Sequence, residues 1–194
     1  MVDSNLKVPK DFGVFTIKQL NILMTIAKES VEAAVNDRFL EHVPPDDATL
    51  LEPGAAFVTL KKHGNLRGCI GHVLARIPLY MCISEMARSA AVHDSRFAPV
   101  SLSELVDIAY EISILTKPEP IDPDDIKVGR DGLIISQGVY SGLLLPQVPV
   151  EWGWNREQFL IQTCRKAGLS GSAWQDSDVK LEAFRAIVFD ENDI

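Results

Sequence analysis

Two stretches of this sequence turn back on themselves as strand pairs, and that pattern limits the fold more than any other feature. Ala56-Phe57-Val58-Thr59-Leu60 reads as a strand, His63-Gly64-Asn65 as a turn, and Leu66 to Ile70 as the returning strand. Gly132 to Ile135 and Val139 to Leu145 repeat the arrangement across Ser136-Gln137-Gly138. Such tight reversals join antiparallel strands, because parallel neighbours need a crossover of a dozen or more residues. Ile108 to Leu115 alternates with period two and forms a further strand, with Glu111 turned away from the isoleucine face. Three helices are predicted between and around these pairs. One begins at the Thr16/Gln19 capping box, one at Pro78, and one at Asn155 with Gln158, ending at Gly168. Val179 to Phe189 has strand composition toward its end. Hairpins and helices without regular strand–helix alternation predict an α+β fold, antiparallel sheets flanked by helices. Pro118 to Asp125 holds three prolines and four acids, so a single domain over residues 1–194 is expected to divide into two lobes near 116–131, with a cleft between them.

Composition narrows the class. The 194 residues are 46% hydrophobic and 24% charged, enough to build a core and too apolar for a disordered chain. No apolar run approaches the ~18–20 residues that cross a bilayer, and Met1 to Lys10 lacks a signal-peptide pattern, so a cytoplasmic protein without a membrane partner is expected. Cys69, Cys82 and Cys164 are odd in number and widely spaced, which predicts reduced thiols. Cys82 and Cys164 fall on apolar helical stripes and read as core residues. Net charge is -8, yet residues 61–96 carry Lys61, Lys62, Arg67, Arg76, Arg88 and Arg96 against Glu85 and Asp94. A basic island in an acidic chain points to an anionic ligand more than to long nucleic acid, which takes a wide basic face, and a scatter of solvated charges accounts for it equally well.

Chemistry concentrates in Leu66-Arg67-Gly68-Cys69-Ile70-Gly71. On a regular strand Arg67, Cys69 and Gly71 share a face, with Arg67 roughly 7 Å from Cys69. A fixed cation there favours the thiolate and makes a cysteine nucleophilic. Gly71 would leave space beside the sulfur, and Gly68 would let another backbone or a ligand approach the opposite face. Packing alone also accounts for both glycines and for Cys69. His63, His72 and His93 lie nearby in sequence as possible bases, and no nucleophile–base pair can be read from spacing. Cys69 and His72 form half of a zinc-like spacing without a second half, so neither a metal nor another cofactor is expected. In Asp94-Ser95-Arg96-Phe97, Arg96 can fork onto an anionic ligand or simply onto Asp94. Gln147, between Pro146 and Val148 at a strand end, can line a cleft or sit in a plain turn. Dinucleotide, Walker-type, GxSxG and HExxH signatures are missing.

These segments resemble the AMMECR domain family. Leu66 to Gly71 is similar to its hallmark hexapeptide, Asp94-Ser95-Arg96-Phe97-Ala98-Pro99-Val100 to its D-x-R-F-x-P-V segment, Glu111-Ile112-Ser113-Ile114-Leu115 to its E-I-S-x-L strand, and Leu144-Leu145-Pro146-Gln147-Val148 to its L-L-P-Q-V turn. Ser95 and Ala98 stand where the family more often has proline. The resemblance implies an α+β fold of a larger and a smaller lobe with a possible active site between them, and a family without an established biochemical activity. It also implies a pathway shared with Memo-type and radical-SAM proteins, and Arg67, Gly68, Cys69 and Gly71 as the functional segment with Asp94 and Arg96 beside it. Two functions follow as expectations. One is an enzyme with Cys69 as catalytic nucleophile and with Arg67, Gly68, Gly71, Asp94, Arg96 and Gln147 binding an anionic substrate. The other is a non-catalytic regulatory module that binds a partner protein or ligand. A third, RNA or nucleotide handling, rests on the basic island and is opposed by the overall charge.

Overall fold

Side-chain caps set where the helices begin. In the computed structural model, which describes residues 15–194, the Gln19 N–H donates to Thr16 Oγ1 at 3.3 Å and the Thr16 N–H donates to Gln19 Oε1 at 2.7 Å, opening helix α1 (Ile17–Val35). Met1 to Lys10, read above for a targeting signal, lies outside these residues. Asp47 caps the single turn α2 (Ala48–Leu51). The hairpin of β1 (Pro53–Lys62) and β2 (Asn65–Gly71) follows, then the short β3 (Ile77–Pro78), helix α3 (Leu79–Val92), a 3-10 turn at Leu102–Asp107, and β4 (Ile108–Leu115). After β5 (Glu119–Pro120) come the hairpin of β6 (Gly132–Gln137) and β7 (Tyr140–Leu144), helices α4 (Gln147–Glu151) and α5 (Arg156–Lys166), and strands β8 (Lys180–Phe184) and β9 (Ala186–Asp190). Among the described residues no helix is long and apolar enough to cross a membrane.

The chain forms two compact units, one running to Leu115 and taking in Ile187–Ile194, the other Thr116–Ala186. In the first, strands lie in the order β2-β1-β4-β9, with β3 also on β1. Ala56, Val58 and Leu60 of β1 and Ile112 and Ile114 of β4 turn to one side, where Leu20, Leu23 and Ala27 of α1 and Cys82, Ile83 and Met86 of α3 complete the core. In the second, the order is β5-β8-β6-β7, and Phe159, Leu160 and Cys164 of α5 pack on Leu133 and Ile135 of β6. The result is the α+β class with antiparallel sheets that the hairpins predict.

Three local features sharpen or change. The strand expected at the end of Val179 to Phe189 is β9, and a second strand precedes it: the chain leaves β8 in the second unit's sheet, passes Arg185, and enters β9 beside β4 in the first unit. Gln147 does not end a strand but is the first residue of α4. Gly129 to Gly132 carries the buried Asp131, whose carboxylate accepts from the Lys127 N–H at 2.8 Å and pairs with Arg130 at 2.6 Å.

Candidate functional site

The β1–β2 hairpin turns through His63 and Gly64, both at positive φ, the conformation a two-residue reversal needs. Pairing begins regularly with Lys62 opposite Asn65 and Lys61 opposite Leu66. The register then shifts, Leu60 lies opposite Gly68, and Arg67 is the extra residue of a bulge. The consequence reaches the cysteine. Without the bulge Cys69 would lie opposite Val58 and face the core; with it, Cys69 lies opposite Thr59, on the other face of the sheet. There the Thr59 hydroxyl donates to Cys69 Sγ at 3.2 Å. Sequence reading misses Thr59, because a regular hairpin places it opposite Gly68.

Strand β2 is the edge of its sheet, and an edge leaves main-chain groups without partners. At Cys69 two side chains supply them. The Cys69 N–H donates to Asp94 Oδ2 at 2.8 Å, and Arg96 Nη2 donates to the Cys69 carbonyl at 3.0 Å. Arg96 is itself forked on Asp94, Nε to Oδ1 at 2.9 Å and Nη2 to Oδ2 at 2.7 Å, and its N–H also reaches Oδ1. Asp94 is buried directly after α3, while 55% of the Arg96 side chain is exposed. The Arg96 guanidinium holds the Asp94 carboxyl well below the usual carboxylate range, against the opposing effect of burial and with help from the Cys69 N–H. Asp94 in turn raises Arg96, and Cys69 adds to that shift, which puts Arg96 in the electrostatic neighbourhood of the cysteine.

Arg67 does not share the cysteine's face. Its Nε and Nη2 donate to Glu104 Oε1 and Oε2 at 3.0 Å each, and Nη1 and Nη2 donate to the carbonyls of Ala98 and Pro99 at 2.9 and 3.2 Å. Lys62 joins the same carboxylate at 3.1 Å, and Lys62 is in phase with Val58 and Leu60, the core-facing residues of β1. The cation expected beside Cys69 is therefore Arg96, and Arg67 is committed to the bulge. Arg67 also holds Glu104 well below the usual carboxylate range, with the Ser101 N–H and Lys62 adding to it. Ser101-x-x-Glu104 is a capping box that marks Glu104 as a helix cap, but nothing near it in sequence ties it to Arg67, 37 residues away.

Both glycines of the hexapeptide are filled by the protein itself. A Cβ on Gly68 would strike the Ala90 carbonyl of α3, so the close backbone approach foreseen there is made by a helix. A Cβ on Gly71 would strike the Phe57 ring, so the open space expected beside the sulfur is occupied. Gln147 belongs to the second unit, whereas Arg67, Cys69, Asp94 and Arg96 are gathered within the first. Among the described residues Thr59 supplies the side-chain hydrogen bond to Sγ, and His63, His72 and His93 do not. Nor do three His, Cys, Asp or Glu side chains gather there to hold a metal ion. Cys82 and Cys164 are buried, and burial pushes the Cys82 thiol up to about 11 and raises Cys164.

Comparison with known proteins adds the lineage. The profile of the AMMECR1 family matches residues 24–189. Protein TK0174 of Thermococcus kodakarensis is 47% identical over 181 residues, spanning 87% of this chain and 88% of its own. Protein PYRAB00100 of Pyrococcus abyssi is 43% identical over 198 residues, 95% of this chain and 93% of its own. The crystal structure of the uncharacterized protein PH0010 from Pyrococcus horikoshii superposes with a TM-score of 0.79 at 43% identity, covering 87% of this chain and 89% of that one.

Proposed function

This chain belongs to the AMMECR1 family, and from that premise we propose that it is an enzyme whose Cys69 thiol is the nucleophile and whose Arg96 holds the charged group of a small anionic substrate. One observation carries the reading. Arg96 is held beside Cys69 by hydrogen bonds from Nε and Nη2, with its guanidinium over the Phe97 ring at 5.5 Å, and Nη1 takes no hydrogen-bond partner among the described residues, so an oriented donor remains for a carboxylate or phosphate. Thr59 fixes the sulfur on that same side of β2. The chemistry this arrangement suits is addition of Sγ to a carbonyl carbon of the bound anion, in which the S–C bond forms as the C=O π bond opens and the carbonyl oxygen takes up the proton the thiol gives up.

A second reading is a non-catalytic module that recognises a ligand or partner at the same edge. It is favoured by the fact that Asp94 and Arg96 bond the main chain of Cys69.

Labelling the folded protein with iodoacetamide and reading each cysteine by peptide mass spectrometry tests the first reading. Cys69 reacting well ahead of Cys82 and Cys164 supports it; a Cys69 as slow as the two core thiols contradicts it. Cys69→Ser then separates the two functions, abolishing turnover in an enzyme and sparing recognition in a binding module.

A further inference from the structure

Away from Cys69, the segment 38–47 runs without regular structure beside α1, yet it is pinned at three points, the first being the Arg38 N–H, which donates to the Ala33 carbonyl at 2.8 Å. His42, whose side chain is 9% exposed, hydrogen-bonds through Nε2 to Ser30 Oγ at 2.9 Å and faces Glu29 across 3.5 Å from Nδ1, while Ser30 is bonded to Ser84 of α3 at 2.8 Å. Five residues on, both Asp47 carboxylate oxygens accept from Gln19 Nε2 at 3.0 Å. Between these anchors lies the stiff Pro44-Pro45 pair. A partly buried polar network of this kind fixes the segment as a wall.

The wall carries apolar side chains outward. Phe39 and Val43 are 83% and 86% exposed, and Leu40 is exposed as well. Between wall and helix runs a groove of about 750 Å³, floored by Ile22 and Ile26 of α1 and flanked by Leu40, Val43 and Pro45. Its α1 side extends from Lys18 to Glu29, which at ~1.5 Å per residue is about 16 Å, or three helical turns. The charged groups lining it are Glu29, Glu41 and Asp46 against Lys18 alone.

We propose that this groove docks a basic amphipathic helix of a partner protein. Its apolar face lies on Ile22, Ile26 and Val43, and its lysines or arginines meet Glu41 and Asp46. The acidic rim turns away nucleic acid and anionic lipid, and the groove's length matches a helical segment of about three turns. The proposal is independent of the Cys69 chemistry.

Fluorescence anisotropy of a labelled, helix-forming leucine/lysine peptide of about three to four turns, titrated with the full chain, tests it. Saturable binding is expected, weakened roughly tenfold or more by Val43→Asp and by the double variant Glu41→Lys/Asp46→Lys. It is expected to be unchanged in Glu151→Lys/Glu157→Lys, which shifts the net charge equally at exposed sites of the second unit. Equal weakening in both double variants would mean that binding follows net charge, and would overturn the proposal. So would indifference to Val43→Asp, or affinity weaker than roughly 100 μM in the unaltered protein. Val43 is a surface residue, so its substitution leaves the core intact.

Discussion

Arg67 has no Cα partner on β1, and for that reason Cys69 stands opposite Thr59 instead of Val58. One extra residue in one strand decides whether the thiol of this chain faces the core or the opposite side of the sheet. The bulge is held from outside the hairpin, by Glu104 and by the carbonyls of Ala98 and Pro99. Glu104→Ala therefore strips Arg67 of its charge-assisted bonds and is expected to lower stability by about 2–3 kcal/mol in urea unfolding. It should also slow alkylation of Cys69 in the folded state, as the register is freed to slip. Unchanged stability and labelling would show that the bulge needs no anchor.

Neither glycine of the hexapeptide should tolerate a methyl group. Gly68→Ala drives a Cβ into the main-chain oxygen of Ala90, which is fixed within α3, and should cost about 3 kcal/mol. At Gly71 the Cβ meets both the root of the Phe57 ring and the main-chain oxygen of Ala56, neither of which can swing clear, and a similar cost of about 3 kcal/mol is expected. Thermal melts of the two variants check both losses, and an unchanged melting temperature in either would contradict the packing around that glycine.

Acid should weaken the β2 edge through Asp94. Its carboxyl lies below the ordinary ~3.9 in the folded protein, so the folded state binds that proton less readily than the unfolded chain. The stabilisation is complete above pH ~5 and fades as the pH falls through the unfolded value toward the folded one. Asp94→Asn should cost about 2 kcal/mol at neutral pH and flatten the loss of stability between pH ~5 and ~2. Urea midpoints across that range check it; parallel curves for the two proteins would count against the pair.

Much of the fold is legible in the sequence because it is written locally. Thr16 with Gln19 and Asn155 with Gln158 cap helices where the patterns place them, and Ile108 to Leu115 is a strand with its isoleucines in the core. The parts that escape depend on distant partners. The bulge at Arg67 needs Glu104, and Asp94 reaches Cys69 across 25 residues. The split of Val179 to Phe189 at Arg185 is a choice between two sheets that share one run of strand-forming residues. The candidate site was legible as a cluster of residue types, while its geometry was not: Arg96 took the place assigned to Arg67, and Thr59 carried no signal of its own.

The hydroxyl of Thr59 should matter to the sulfur as a donor and not as bulk. Thr59→Val, nearly isosteric, is expected to change the alkylation rate of Cys69 roughly threefold or more, and Thr59→Ser to restore it. Equal rates in all three proteins would reduce the 3.2 Å contact to packing.

The central claim, that Arg96 offers an anion-holding donor beside Cys69, is tested most directly by alkylating Cys69 with iodoacetate and with iodoacetamide and taking the ratio of rates. Both reagents meet the same thiolate, so the ratio cancels its population and reports the charge of the reagent's surroundings. In Arg96→Gln the preference for the anionic reagent should fall roughly fivefold or more, and Arg96→Lys should keep most of it. A ratio that is the same in the unaltered protein and in Arg96→Gln would contradict an anionic substrate held by Arg96.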